Sequence, residues 1–151
     1  MREASRRAAR APRRGGLPNA RFVAAALEQL PPQLNGLASL VAVHFPWGSL
    51  LRAALGQDPA GAARIAALPA PGGVLRLLVS AAERDSARGA ASLDAEAVVG
   101  TYRRLGLAPG VCRAASLADV TAVRSSWGRR LLASGTDRSA WLIEMRRIDS
   151  A

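Results

Sequence analysis

The chain has 151 residues, 50% of them apolar, and a formal net charge of +10, which suits one domain with its own core and a polyanionic partner, nucleic acid ahead of an anionic membrane. Cys112 is the only cysteine, so an intramolecular disulfide and a cysteine-based zinc site are excluded and a reducing cytoplasm fits. The longest stretch without formal charge, Gln29–Leu51, is broken by Pro31, Pro32, Gly36, Pro46 and Gly48 and is no membrane span, and Met1–Gly16 lacks the apolar run of a secretory signal.

Met1–Arg14 sets Arg2, Arg6, Arg7, Arg10, Arg13 and Arg14 against Glu3, a local charge of +5. Arg6, Arg7, Arg10 and Arg14 recur at helical spacing, so the segment reads as a helix with a basic face ended by Pro12 and Gly15-Gly16. A disordered basic arm accounts for the same residues. Residues 1–20 thus form a basic helix and loop, and 21–151 the main body.

Arg21–Ala25 is a short apolar run that reads as a strand, and Ala26–Leu30 as one helical turn stopped by Pro31-Pro32. Ala38–Phe45 is apolar and β-branched between Gly36 and Pro46, the pattern of a buried parallel strand. Helices follow over Gly48–Leu55 and Pro59–Leu68, then a strand over Val74–Ser80 behind Gly72-Gly73. Ser92 caps a helix running to Leu105, and Val111–Ala115 is a weak strand. Ser116 and Asp119 form a capping-box pattern for a helix whose Leu117, Val120, Val123, Trp127 and Leu131 lie close to one face. Trp141–Ile148 is the last strand. Alternating strands and helices predict an α/β fold with a mostly parallel sheet.

His44-Phe45-Pro46-Trp47-Gly48 lies where a strand ends and a helix begins, and open sheets bind ligands beyond the carboxyl ends of their strands. A Pro-aromatic pair there gives a rigid loop with a flat stacking face, or else a tryptophan packed beneath its own helix. Trp127 has the same two readings: the second face of a base sandwich, or a core position on its helix. His44, the only histidine, has no partner at metal spacing and reads as a half-buried strand residue. Ser125 and Ser126 lack the hydrolase elbow, no Walker loop is present, and no Gly-x-Gly-x-x-Gly follows a strand. Arg124, Arg129, Arg130, Arg138, Arg146 and Arg147 stand against Asp137 and Glu144, a second basic cluster of +4. Two such clusters, one beside Trp127, favour nucleic acid over a merely solvated surface.

Gly15-Gly16-Leu17-Pro18-Asn19, Leu27-Glu28-Gln29-Leu30-Pro31-Pro32, Phe45-Pro46-Trp47-Gly48-Ser49-Leu50-Leu51-Arg52 and Ser125-Ser126-Trp127 before Arg129-Arg130-Leu131 occur in this order. In these segments the chain resembles the aminoglycoside-resistance 16S rRNA (adenine(1408)-N(1))-methyltransferases over nearly its whole length. The resemblance implies a Rossmann-like class I methyltransferase sheet, with S-adenosyl-L-methionine as methyl donor. The match begins inside the family's sequence. The expected chain is therefore a carboxyl-terminal part, lacking the first strand–helix–strand unit and its glycine-rich loop.

By the same resemblance, Trp47 and Trp127 bracket a flipped adenine beside Pro46, and Leu27, Glu28, Ser49 and Ser125 lie at the cofactor. Arg7, Arg14, Arg130 and Arg138 match rRNA-docking positions, with Arg10 on the basic face of the first cluster. A further family arginine falls in Gly135-Thr136 and is lost. The implied function is methylation of adenine N1 in the decoding site of 16S rRNA within the 30S subunit, giving aminoglycoside resistance. The implied enzyme is cytoplasmic, monomeric and metal-free. The alternative is an inactive rRNA-binding fragment of such an enzyme. Phe45 before the Pro-aromatic step, where amino-group methyltransferases of similar fold carry Asn or Asp, favours a ring nitrogen.

Overall fold

The computed structural model describes residues 2–17, 19–20, 22–80, 94–123 and 140–148. The chain divides into two compact units, Met1–Leu30 and Pro31–Ala151.

In the first unit, helix α1 spans Arg2–Ala8, with Arg7 paired to Glu3 one turn earlier. The basic segment is therefore helical, but the helix stops at Ala8, short of the expected Pro12. Arg10 lies in the bend after it, and Arg13 and Arg14 lie on a single 3-10 turn, Pro12–Arg14. Leu17 N–H donates to the Ala8 carbonyl at 2.8 Å, folding this segment back on the helix end. Gly16 makes the return possible, since a Cβ there would lie 1.7 Å from the Arg10 carbonyl oxygen. The expected strand at Arg21–Ala25 does not form: residues 22–26 belong to no helix or strand, and Phe22 and Val23 are exposed. An apolar run becomes a strand only where an edge pairs its backbone. The expected turn of helix after it is a 3-10 turn, Leu27–Gln29.

The second unit is built on a four-stranded sheet. Its strands are β1 (Ala38–His44), β2 (Pro69–Ser80), β3 (Leu107–Ala114) and β4 (Ala140–Arg147), in the spatial order β1-β2-β4-β3. β1, β2 and β3 run in one direction and β4 alone is reversed, antiparallel to both neighbours, so the described strands keep the expected mostly parallel direction with one antiparallel strand inserted among them. Helices α2 (Gly48–Ala54), α3 (Pro59–Ala67), α4 (Ala95–Arg104) and α5 (Leu117–Ala122) connect them. Asp58 caps α3 and Asp94 caps α4 by accepting from Gly61 N–H and Ala97 N–H. The expected cap of α4, Ser92, lies outside the described residues.

Two strands start earlier than the sequence suggests. β2 begins at Pro69 because Gly72-Gly73 lies inside the strand: Gly72 has φ 70°, and a Cβ on Gly73 would meet the Ala38 carbonyl at 2.6 Å. β3 tolerates Pro109 because it is an edge strand, where a missing N–H breaks no ladder, and its register shifts between Pro109 and Val111.

Alternation along β2 and β4 sends Leu75, Leu77, Val79, Ile143 and Met145 to one face, all fully buried. Leu51, Ala53, Ala54, Ile65, Ala66, Val98 and Tyr102 of α2, α3 and α4 are buried as well, and Tyr102 O–H donates to the Ala53 carbonyl at 3.3 Å, tying α4 to α2. Burial raises the Tyr102 phenol well above its ordinary pKa. The opposite face carries Leu78, Ala140 and Leu142 in a second cluster with Phe45 and Val120. Further along it Arg76 pairs with Glu144 at 2.6 Å.

Candidate active site

The stretch His44–Gly48 leaves the carboxyl end of β1 and enters α2. Phe45 has φ 46°, the left-handed region that bulky residues avoid, and is the only non-glycine there among the described residues. Such a conformation costs about 1–3 kcal/mol. Two contacts offset it: Phe45 N–H donates to the Leu78 carbonyl at 2.7 Å, and its side chain is buried with Leu78, Val120, Ala140 and Leu142. Pro46 is buried too. Trp47, extended at φ −142° as the residue before α2, is 84% exposed. A tryptophan packed beneath its own helix is thereby ruled out. Ser49 is exposed in the first turn of α2, close in sequence to the indole it follows.

His44 pairs with Leu78 on the neighbouring strand. His44 is exposed rather than half-buried as expected, yet partial desolvation first, then the positive charge of Arg76, lowers its imidazole pKa from an ordinary 6.5. Among the described residues no group of His, Cys, Asp and Glu is placed to hold a metal ion, and no helix is long and apolar enough to cross a membrane.

Pro46, Trp47 and Ser49 therefore share one rigid loop and helix start. Leu27, half-buried, and Glu28, exposed, share the 3-10 turn of the first unit. The Glu28 carboxylate takes no hydrogen bond or ion pair among the described residues. A free acceptor beside an apolar side chain suits the hydroxyl or amino groups and the flat ring of a nucleoside. Arg7, Arg10 and Arg14 are exposed on that unit. Ser125, Trp127, Arg130 and Arg138 lie outside the described residues, as does the expected continuation of α5 to Leu131.

Phe45 is the residue whose weight sequence reasoning missed. The available signal was a bulky aromatic at a strand's end directly before proline, where the backbone has few options. Capping of α5 follows expectation. Ser116 N–H donates to Asp119 at 2.6 Å, and Asp119 N–H to the Ser116 hydroxyl at 3.2 Å. Arg113 adds bonds of 2.6 and 3.0 Å to the same carboxylate.

An α/β sheet with a Pro-aromatic loop beyond the carboxyl end of a parallel strand has its candidate ligand site where the resemblance to methyltransferases expects it. Known proteins agree on that class and narrow it. The family model of NpmA, 16S rRNA (adenine(1408)-N(1))-methyltransferase, matches residues 1–147, and the chain belongs to that family. The enzyme of that description from Streptoalloteichus tenebrarius is 46% identical over 72 residues, which is 48% of this chain and 33% of the relative. Its counterpart from Streptoalloteichus hindustanus is 49% identical over 59 residues, 39% of this chain and 26% of the relative. The aligned stretches thus span a third or less of these curated relatives. The crystal structure of the 16S rRNA methyltransferase KamB superposes with a TM-score of 0.84 at 30% identity, covering 99% of this chain and 72% of that one. A tryptophan-to-alanine mutant of the Catenulisporales acidiphilia 16S rRNA (adenine(1408)-N(1))-methyltransferase, solved with cosubstrate S-adenosylmethionine, gives 0.80 at 31% identity, over 99% and 70%.

Proposed function

We propose that this chain takes part in methylating N1 of one adenine in the decoding site of 16S rRNA, on the 30S subunit, with aminoglycoside resistance as the consequence. The observation that carries the reading is Trp47, held out at 84% exposure by a loop whose two preceding residues are buried. An enzyme acting on a stacked base must take it out of the stack and hold it elsewhere. An exposed indole on a rigid support offers one face for that base, and Trp127 is assigned the other.

S-Adenosylmethionine, when bound, supplies an electrophilic methyl group. Leu27 and Glu28 would hold its adenosine end, with Ser49 and Ser125 contributing hydroxyls. Adenine N1 carries an in-plane lone pair, so the site needs alignment rather than a strong base. Pro46 and Trp47 supply the alignment without any histidine dyad. Arg7, Arg10, Arg14, Arg130 and Arg138 are assigned to rRNA phosphates, and the working form is a cytoplasmic monomer.

The test incubates 30S subunits with this chain and methyl-labelled S-adenosylmethionine, followed by reverse transcription of 16S rRNA. Methyl at N1 blocks base pairing, so the transcript should stop beside the modified adenine. Salt-sensitive 30S binding without label or stop would replace this reading with that of an inactive rRNA-binding fragment.

A further inference from the structure

β4 is antiparallel to β2, so it begins with Ala140 opposite Ser80, at the sheet end that carries the Trp47 loop, and finishes with Arg146 and Arg147 at the other. From Ala140 to Arg147 the strand spans about 23 Å. Three element ends meet at that far end. Ile148 N–H donates to the Gly106 carbonyl just beyond α4 at 3.0 Å, and Leu107 pairs with Arg147. The Arg147 guanidinium donates to the Ala66 carbonyl near the end of α3, and that of Arg146 to the Gly72 carbonyl, each at 2.6 Å. Arg103 and Arg104 lie in the last turn of α4, and Arg64 in the last turn of α3. Residues 64–73, 101–110 and 145–148 thus carry Arg64, Arg103, Arg104, Arg146 and Arg147, a local charge of +5, and no Asp or Glu. Asp149, next in the chain, lies outside the described residues. Among the described residues no carboxylate pairs with any of these arginines, and all but the half-buried Arg147 are exposed.

Cations at a helix C-terminus complement the carbonyls there, and backbone carbonyls take only one of the five N–H donors of Arg147 and of Arg146. Both heads are therefore held in place with most of their donors unspent. Arg104 gives one N–H to the Thr101 hydroxyl within its own helix at 3.3 Å; neither it nor Arg103 is tied to another element among the described residues. We propose that this corner is a second RNA-docking surface, gripping rRNA phosphates well away from those beside the Trp47 loop. The proposal rests on the reading that the 30S subunit is the substrate. Arginine's planar fork matches phosphate oxygens two at a time, and phosphate contacts fix orientation without reading sequence. Two holds about 23 Å apart fix the tilt of the sheet on the subunit as well as its place.

An anionic membrane would also attract this charge. RNA is favoured because Ile148 is the one large apolar side chain exposed beside the arginines, which leaves little to enter a bilayer. The exposed Leu34 and Leu37 precede β1, which β2 separates from β4.

The test measures binding of the full chain to 30S subunits over a range of salt concentrations. Arg103→Gln/Arg104→Gln removes two charges and leaves both backbone tethers of β4 intact. It should weaken binding and flatten the log–log salt dependence, by about 0.9 per lost phosphate contact on B-form duplex and less on folded rRNA. Adding Arg146→Gln should flatten it further, and Arg103→Lys/Arg104→Lys, which keeps the charge, should keep the slope. Thermal melts confirm that each variant is folded, and the double Gln variant decides the matter if the triple one does not fold. An unchanged slope in the folded double variant overturns the proposal, as does a Lys variant that loses as much slope as the Gln variant. Failure of the unaltered chain to bind 30S subunits at low salt overturns it too. So does a Gln variant that binds 30S subunits normally but no longer binds phosphatidylserine vesicles that the unaltered chain binds, since the corner would then serve a membrane. Methyl transfer is no part of the readout, so a chain that binds through this corner without methylating counts against the functional reading alone.

Discussion

Trp47→Ala separates a functional indole from a structural one. Trp47 is 84% exposed, so its removal takes little apolar surface out of the fold. Surface substitutions of this kind change stability by about 0.5 kcal/mol or less. For a chain of this size that moves Tm by about 1–2 °C. Tyr102 is the internal comparator: fully buried, with its hydroxyl on the Ala53 carbonyl. Loss of a buried aromatic to alanine costs about 3–5 kcal/mol, so Tyr102→Ala should melt about 6 °C lower or more. On the functional side, each base–aromatic stack contributes about 1–3 kcal/mol. If the stack forms only in the transition state, Trp47→Ala should slow methyl transfer by about one to two decades, and Trp47→Phe should keep part of the rate. Thermal melts and single-turnover methylation of 30S subunits, run on the same samples, read both quantities. A Trp47→Ala protein that melts as low as Tyr102→Ala would return the indole to the core. One that is folded and fully active would end its role in stacking.

Two further outcomes follow from the charges. The Asp119 carboxyl is held well below the usual carboxylate range, chiefly by the Arg113 hydrogen bond and then by the Ser116 side chain and N–H. A depressed folded value stabilises the protein above the unfolded value of about 3.9, and that stabilisation is lost as pH falls from there toward the folded value. Asp119→Asn should therefore lower Tm at pH 7, and the gap to the unaltered protein should close below about pH 4; an offset that stays constant from neutral to acid pH would contradict the assignment. Changing Arg7, Arg10 and Arg14 to Ala should weaken 30S binding and flatten its log–log salt dependence, by about 0.9 per lost phosphate contact on B-form duplex and less on folded rRNA; an unchanged slope would show that these exposed arginines face solvent.

The site's local frame was legible because its signals are short-range. Gly36 and Pro46 bound an apolar β-branched run, and β1 occupies it, though at the rim of the described sheet with none of its residues buried rather than as the buried strand expected; Gly48–Ala54 and Pro59–Ala67 form helices almost where expected. What failed depended on partners distant in the chain. Gly72-Gly73 read as punctuation before a strand, yet the close approach of the Ala38 carbonyl makes them part of one. The strand expected only from Val111 begins at Leu107, because an edge position lets β3 run through Pro109. The direction of β4 leaves no mark on its own alternation, because a strand buries the same residues whichever way its neighbour runs. Arg21–Ala25 had the composition of a strand, yet residues 22–25 pair with none of the described strands. For Trp47, periodicity could not choose between burial beneath a helix and presentation to solvent, because that choice is made by φ at Phe45, ahead of the first helical residue Gly48.

That single dihedral links strain to use. An ordinary strand end would leave Phe45 on the face opposite Leu78 and Leu142 and deliver Trp47 without that cluster behind it. Instead, Phe45 spends its burial on the opposite face, Pro46 fixes the backbone between them, and Trp47 alone meets water. A stacking surface gains most when its own freedom is removed before the partner arrives, since ordering a large side chain on binding costs about 0.5–1.5 kcal/mol. The left-handed residue, buried ring and proline remove that freedom in the folded chain.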